Sequence, residues 1–443
     1  MNKKRVSIIP LGCPKNDVDS ELIAGAFKHA GYSISWDAYK SDTVIINTCA
    51  FVKDAIEESL DAVMQAIEAK HRGDVKRVVV TGCLPQRFKD ALTSRLKEVD
   101  LFTGVNGFED LPALIKDKKT TKSHITAPFT DYPEALSRVL PEHSGSAYIK
   151  ISDGCNNVCS YCVIPFIKGR LKSRKIDDIV NEVKYLTDNG VQEINLVAQD
   201  TMNFGMDKGD NHLIKLLSSL EKIEAIRWIR LNYLHPAHIN DAFINHIKDS
   251  EKILKYFDVP IQHISDKILK RMNRHTDSND IKRVIEKINK SIKEPFLRTT
   301  VITGFPGETE GDFKQLFKFF NEFPFHRIGV FPYSREEPAP AANMKEQIPD
   351  DVIISRVNEF NEFASRVMNA MSESFVGNTY DAIVHGKGHD DNGITLLRPW
   401  FFAPEIDGYV MVYNKLHYKP GSFVKVKITD TPGFDLVGEP VNN

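Results

Sequence analysis

The sequence predicts an α/β protein of three units: an N-terminal doubly wound parallel sheet, a central (β/α)6 half-barrel and a small C-terminal antiparallel β-barrel. Three observations predict it. Continuous apolar runs alternate with helical patterns of ten or more residues over the first three quarters of the chain. After Asn378 the pattern becomes short alternating strands separated by glycine and aspartate turns. All six cysteines fall into two groups of three, one within each of the first two units. The expected units span 3–118, 141–373 and 376–443.

The bulk numbers set limits. A chain of 443 residues with 42% apolar side chains can bury full-sized cores, at the ~150 residues of a usual domain. Its 58 basic and 60 acidic residues give a net charge of −2, which excludes a uniformly basic nucleic-acid coat and argues against a DNA partner. The opening Met1-Asn2-Lys3-Lys4-Arg5 is followed by an apolar run too short for an export signal, and no run approaches a membrane span. Grouped cysteines in such a chain favour metal ligation over disulfides, so a reducing cytoplasm is expected.

In the first unit, strand Arg5–Pro10 ends at Gly12-Cys13, and a helix is expected over Asp17–Ala30 before Gly31. Thr43–Asn47 is a second apolar strand, ending at Thr48-Cys49; a helix over Val52–Lys70 stops near Gly73. Arg77–Thr81 then leads into Gly82-Cys83. Sites in doubly wound sheets form beyond the carboxyl ends of the strands. Cys13, Cys49 and Cys83 each sit there, so residues far apart in sequence should converge. A lone cysteine at a strand end is ordinary core. Three at equivalent positions point to a three-thiol metal cluster, with a redox dithiol as the milder alternative.

The second unit opens with the apolar strand Ala147–Ile151 and the turn Asp153-Gly154. Then comes Cys155-Asn156-Asn157-Val158-Cys159-Ser160-Tyr161-Cys162, three thiols in eight residues. Thiolates this close repel unless a cation takes up their charge, and soft sulfur suits zinc or an iron–sulfur cluster. Three ligands are one fewer than a closed site uses. A zinc knuckle borrowing a histidine, a disulfide with a spare thiol and scattered core cysteines are the competing readings. Helices over Asp177–Asn189, His212–Ile223, Asn240–Asp249, Asp277–Lys293 and Glu310–Asn321 alternate with strands at Glu193, Arg227, Tyr256, Leu297 and Arg327. Counting from Tyr148 gives six β/α units, fewer than the eight of a closed barrel. Gln199, Asp200, His235, Gln262, His263, Thr303 and Glu308 gather at the strands' carboxyl ends, where such barrels bind ligands. His263 there also fits a satisfied rim residue.

Proline punctuation from Pro338 to Pro349 precedes a long amphipathic helix over Val352–Phe375. Strands Tyr380–Val384, Gly393–Leu397, Gly408–Tyr413 and Ser422–Ile428 follow. From Asn378 onward the acids Asp381, Asp390, Asp391, Glu405, Asp407, Asp430, Asp435 and Glu439 outnumber the bases Lys387, Arg398, Lys415, Lys419, Lys425 and Lys427. Phosphate binding would want the reverse. A solvated surface or docking on a basic protein fits better.

The Cys-x3-Cys-x2-Cys loop after a strand resembles the radical S-adenosylmethionine (SAM) enzymes. With the other trio and the terminal barrel, the whole chain resembles the methylthiotransferases, whose last domain is a TRAM domain. Leu11-Gly12-Cys13-Pro14-Lys15-Asn16, followed by Val18-Asp19-Ser20-Glu21, looks like the ribosomal-protein branch, the RimO type; so does Ala403-Pro404-Glu405-Ile406-Asp407-Gly408. The tRNA branch usually has Gln-Met-Asn after the first cysteine. Departures are local: Asp17 replaces a usual apolar residue or Gln, and Arg335 and Pro338 alter a Ser-Pro-Glu-Glu-Gly-like loop.

The resemblance implies two [4Fe-4S] clusters, one on Cys155, Cys159 and Cys162, the other on Cys13, Cys49 and Cys83, with SAM on the first. It implies that Tyr161 lies near the adenine, Gln199-Asp200 near the SAM amino group, and Gly304 and Gly307 against the adenosine. The implied reaction makes a β-methylthio-aspartate in small-subunit ribosomal protein S-twelve. It draws on a low-potential electron donor such as flavodoxin or ferredoxin, and on a sulfur donor. The chemistry agrees with the residue types: an aspartate β C–H has no proton that a side-chain base near pKa 7 removes, so a radical is required. A tRNA adenosine methylthiotransferase and a non-enzymatic iron–sulfur carrier or ribosome-binding module are the alternatives.

Overall fold

The computed structural model describes residues 4–37, 39, 41–117, 122–128, 138–141, 145–385, 393–413 and 418–441. The expected unit ends at 3, 118 and 443 lie outside these residues, as do Lys387, Asp390, Asp391 and Lys415.

Six parallel strands form the first sheet: β1 Arg5–Pro10, β2 Ser33–Ser35, β3 Thr43–Thr48, β4 Arg77–Gly82, β5 Leu101–Thr103 and β6 Ser123–His124, in the order β2-β1-β3-β4-β5-β6. The sequence reading named β1, β3 and β4 and passed over the three short strands. Val44, Ile45 and Ile46 of β3 are fully buried because helices cover both faces, which is why this strand reads as an unbroken apolar run. Helices α1 Pro14–His29, α2 Lys53–Arg72 and α3 Cys83–Thr93 follow β1, β3 and β4. Helix α1 begins three residues before the expected Asp17 because Pro14 takes its first position, where a missing N–H costs nothing.

The half-barrel has the six parallel strands expected. They are β7 Ser146–Lys150, β10 Glu193–Val197, β11 Trp228–Leu231, β12 Tyr256–Asp258, β13 Phe296–Thr303 and β14 Arg327–Pro332; the hairpin β8 Ser152–Asp153 and β9 Lys172–Ser173 flanks the cysteine loop. β7, β10 and β11 form one ladder and β12, β13 and β14 another. The Ile229–Ile253 bridge and the Leu234 N–H to Asp258 carbonyl bond (2.8 Å) join them. Outward residues such as Ile149, Ile194, Leu196, Ile229 and Phe257 share one core with the surrounding helices. Each such buried aliphatic or aromatic side chain contributes roughly 1.5–3 kcal/mol. Inward residues include the polar Tyr148, Lys150, Glu193, Asn195, Arg230, Asp258 and Arg298, with Trp228, Tyr256 and Phe296 packed against the terminal barrel.

After helix Asp350–Glu373, strands β15 Thr379–Val384, β16 Thr395–Pro399, β17 Val410–Val412, β18 Phe423–Asp430 and β19 Leu436–Pro440 close a barrel in the order β15-β16-β17-β19-β18. The fifth strand, β19, was missed because Gly438 and Pro440 weaken its pattern. This barrel does not stand apart. Its segment Arg398–Asp407 closes the amino-terminal end of the half-barrel: Phe401 and Phe402 pack on Phe296, with ring centroids 5.7 and 6.1 Å apart. Arg398 pairs with Glu193, and Asp407 with Arg298 at 3.2 Å. Charges counted as free surface in the sequence are thus partly spent inside the molecule. Among the described residues, no helix is long and apolar enough to cross a membrane.

Candidate active site

Strand order reverses between β1 and β3, and the crevice that opens there holds the first trio. Cys13 caps α1, Cys49 follows β3, and Cys83 opens α3 directly after β4. Gly12 has φ +96°, and a Cβ there would stand 2.6 Å from the Cys49 Cβ and 2.9 Å from its Sγ. Gly82, with φ +94°, passes as closely over Thr48. Only glycine permits both the turn and the approach. Polar clamps hold the three loops together. Asn16 Nδ2 donates to the carbonyls of Leu11 (2.9 Å) and Thr48 (3.0 Å), Asn47 Nδ2 donates to the Asn16 carbonyl (2.9 Å), and the Ser59 hydroxyl bonds both the N–H and the carbonyl of Cys49. Burial pushes the Cys83 thiol up to about 12, opposed by the Lys168 ammonium and reinforced by Cys49 and Cys13. Burial raises Cys49 too, with Cys13 adding to it.

The second trio lies on the loop beyond β8. Asn157 N–H points at Cys155 Sγ (3.4 Å), Cys162 N–H donates to the Cys159 carbonyl (3.1 Å), and Ser160 is bound through its N–H and hydroxyl to the carbonyls of Met272 and Arg271. Arg274 Nη1 lies 3.8 Å from Cys159 Sγ and 3.5 Å from Tyr161 Oη. Burial pushes Cys155 up to about 11 and Cys162 to about 12. All six cysteines are free. Six reduced thiols, four of which (Cys49, Cys83, Cys155 and Cys162) are costly to ionise in isolation, are a donor set that a cationic cluster would satisfy. Among the described residues no three His, Cys, Asp or Glu side chains gather around a single-ion site. Thiolates on separate irons of a cluster stand further apart than that.

Both trios border one buried charge cluster. Lys150 bonds Asp19 of α1 and lies 3.2 Å from Asp153; Lys168 reaches Asp19 at 3.2 Å and Asp153 at 3.5 Å, and its charge acts on Cys83. Asp153 is two residues from Cys155. The two lysines overcome the burial of Asp153 and hold its carboxyl far below the usual range. The sequence reading missed this cluster, although a lysine inside the apolar run Tyr148-Ile149-Lys150-Ile151 was a signal.

The other expected residues have distinct surroundings. Gln199 Nε2 donates to Asp153 (2.7 Å), leaving Gln199 Oε1 buried without a partner. Asp200 is fully engaged: Oδ2 receives Asn157 (2.7 Å), Asn203 (2.8 Å) and His238 (3.0 Å), and Oδ1 receives the Met202 N–H. The Tyr161 ring packs with Met272, Phe305 and Tyr333. Gly304 and Gly307 let their loop run beneath Ile353 and Arg271, where a Cβ would come within 2.5 and 2.8 Å. His263 is a core residue, accepting the Ser265 N–H at 2.9 Å. His235 accepts the Ala237 N–H at Nδ1, so its buried, unpartnered Nε2 carries the proton.

Comparison with known proteins agrees with this architecture. Residues 149–320 match the family model described as the radical SAM superfamily, 376–441 the TRAM domain, and 5–104 a model described as uncharacterized protein family UPF0004. A protein of Acetivibrio thermocellus named ribosomal protein uS12 methylthiotransferase RimO is 40% identical, with 99% of each chain covered. One of the same name from Caldicellulosiruptor saccharolyticus is 40% identical over 99% of this chain and 100% of its own. The solved radical SAM methyltransferase TsrM of Kitasatospora setae, with cobalamin and a [4Fe-4S] cluster bound, superposes with TM-score 0.57 at 15% identity, covering 76% of this chain and 77% of that one. That likeness concerns the fold.

Proposed function

We propose a reaction for this chain from the family it belongs to, the ribosomal protein uS12 methylthiotransferases (RimO) of the radical SAM superfamily. The chain is a transferase that uses SAM and [4Fe-4S] clusters. Its substrate is small-subunit ribosomal protein uS12 (S-twelve), and the group it adds, sulfur bearing a methyl, goes to the β-carbon of an aspartate. The observation that carries this reading is the pair of cysteine trios bordering one buried charge cluster, in a chain that matches the family from end to end.

Cys155, Cys159 and Cys162 would hold one cluster and Cys13, Cys49 and Cys83 the other; with SAM they supply the hydrogen-abstracting radical, the sulfur and the methyl group. The protein's own part is orientation. Asp153 holds the Gln199 amide nitrogen and leaves Oε1 as a free acceptor, which suits the SAM ammonium. Asp200 ties Asn157 of the cysteine loop to Asn203 and His238, and so acts as a positioning residue. Tyr161, Gly304 and Gly307 shape the wall beside the loop. Arg274 sets a fixed positive charge beside Cys159. The unit limits 3–118, 141–373 and 376–443, a cytoplasmic location, a flavodoxin- or ferredoxin-like electron donor and a separate sulfur donor belong to the same reading.

The test is mass spectrometry of uS12 from cells with and without this chain, expecting a gain of one sulfur and one methylene on an aspartate. Anaerobic, reduced protein should release 5′-deoxyadenosine from SAM, and Cys159→Ala should abolish this. Continued release from the variant, or the same mass gain on tRNA in place of uS12, would overturn the reading.

A further inference from the structure

Lys15 is a buried lysine without an ion pair. It is the second residue of α1, next to Cys13 in space, and only 8% exposed. Its Nζ sits 4.0 Å from the centroid of the Tyr233 ring. Tyr233 follows β11 with φ +61° and is fixed by its N–H bond to Asp258 Oδ2 (2.9 Å). Among the described residues Nζ has no carboxylate within ion-pair distance and no hydrogen-bond acceptor. Asp153, whose charge reaches it, pairs with Lys150 and Lys168, and Asp17, on which its own charge acts, forms no ion pair with it. Lys15 therefore feels Asp153 and Cys13 only through space and has no ion pair of its own. Burying a charge without a partner is costly, and a cation in the first turn of a helix is further opposed by the helix dipole. The Tyr233 face and the electrostatic pull of Cys13 and Asp153 offset that cost without giving Nζ a direct partner. A side chain kept under such conditions is poised for an anion from outside.

We propose that Lys15 is the specificity-determining residue for the substrate side chain: its ammonium receives the carboxylate of the target aspartate. This inference rests on the uS12 reading above and deepens it. The γ-carboxylate is bonded directly to the β-carbon, so holding it places the reacting carbon at the junction that both trios border. The face of Tyr233 limits where Nζ can go, which fixes the direction of approach. An asparagine side chain has the same shape without the charge and leaves the ammonium unpaired, the arrangement by which a polar site rejects an analogue.

The experiment measures binding of reconstituted full-length protein to unmodified uS12 and to uS12 whose target aspartate is replaced by asparagine. Wild type should prefer the aspartate form by roughly 10- to 100-fold, the range of one charge-assisted contact. Lys15→Met and Lys15→Gln should each reduce that preference to within about twofold, and Lys15→Arg should restore most of it. Iron per chain, measured in parallel, should match wild type in all three. Preference retained in both neutral variants overturns the proposal. Lost iron in Lys15→Met and Lys15→Gln also overturns it, since Lys15 would then serve the neighbouring cysteines. A wild-type protein that modifies uS12 yet binds both forms equally overturns it too, whereas one that leaves uS12 unmodified refutes the parent reading instead.

Discussion

Glu193 of the half-barrel and Arg398 of the terminal barrel form a fully buried ion pair, with Arg398 Nη1 donating to Glu193 Oε1 at 3.0 Å. Arg230 adds a second guanidinium at 3.1 Å. The residues are 205 positions apart, and the contact joins the floor of the active-site barrel to the last domain. The terminal barrel therefore closes the half-barrel at the end opposite the cysteine loop.

Removing one partner should be worse than removing the contact area alone. Glu193→Gln leaves two guanidinia buried without their carboxylate, and breaking such a pair costs about 3–5 kcal/mol. Urea unfolding should show that loss, with a milder effect for Arg227→Ala, whose partner Asp381 is well exposed. Burial pushes the Glu193 carboxyl up, but Arg398 and Arg230 outweigh it and hold it at about 2. A carboxyl lowered in the folded state stabilises above its ordinary pKa near 4.5, and that contribution disappears as pH falls through 2. Wild type should lose stability over that interval, and Glu193→Gln should lose less.

Asp17 gives the opposite sign. Burial raises its carboxyl to about 7, helped by Glu405, Glu21 and Asp19. A group raised in the folded state binds its proton more tightly there, so stability falls as pH climbs from about 4 to about 7 and then levels off. Asp17→Asn, which cannot ionise, should match wild type near pH 4 and exceed it by about 2 kcal/mol above pH 7, allowing for partial solvent screening. Thermal melts at the two ends of the range check this; equal melting curves at pH 8 would show that Asp17 is solvated. The sequence had marked Asp17 as a departure from its family's pattern, and its surroundings explain why the departure matters.

What the sequence revealed follows from which forces are local. Apolar periodicity exposed β1, β3 and β4, the six half-barrel strands and most helices, because each repeats its signal over many residues. The three-residue strands β2 and β5 and the glycine-bearing β19 carry too few residues for a pattern. Convergence of Cys13, Cys49 and Cys83 was legible because strand topology places them. The Asp19–Lys150–Asp153–Lys168 cluster was not, since its members lie up to 149 residues apart and pair only once two domains meet. The docking of Arg398 and Asp407 was hidden for the same reason: a charge count cannot tell a solvated acid from one spent on Arg298.

Two glycines separate backbone strain from site geometry. Gly12 and Gly31 both have left-handed φ, +96° and +87°, so alanine at either position should cost roughly 1 kcal/mol in backbone strain. Their surroundings differ. A Cβ on Gly31 meets nothing within 4 Å, while one on Gly12 would stand 2.6 Å from the Cys49 Cβ and 2.9 Å from its Sγ. Gly12→Ala must therefore push Cys49 away from Cys13, and Gly31→Ala need move nothing. After anaerobic reconstitution, Gly31→Ala should bind as much iron as wild type, about eight per chain if each trio holds a four-iron cluster, and Gly12→Ala about four. The remaining irons should still support SAM cleavage, because Cys155, Cys159 and Cys162 lie on a separate loop. Full iron in Gly12→Ala would mean that the Gly12 turn does not govern the first trio. Equal iron loss in both variants would trace the effect to strain.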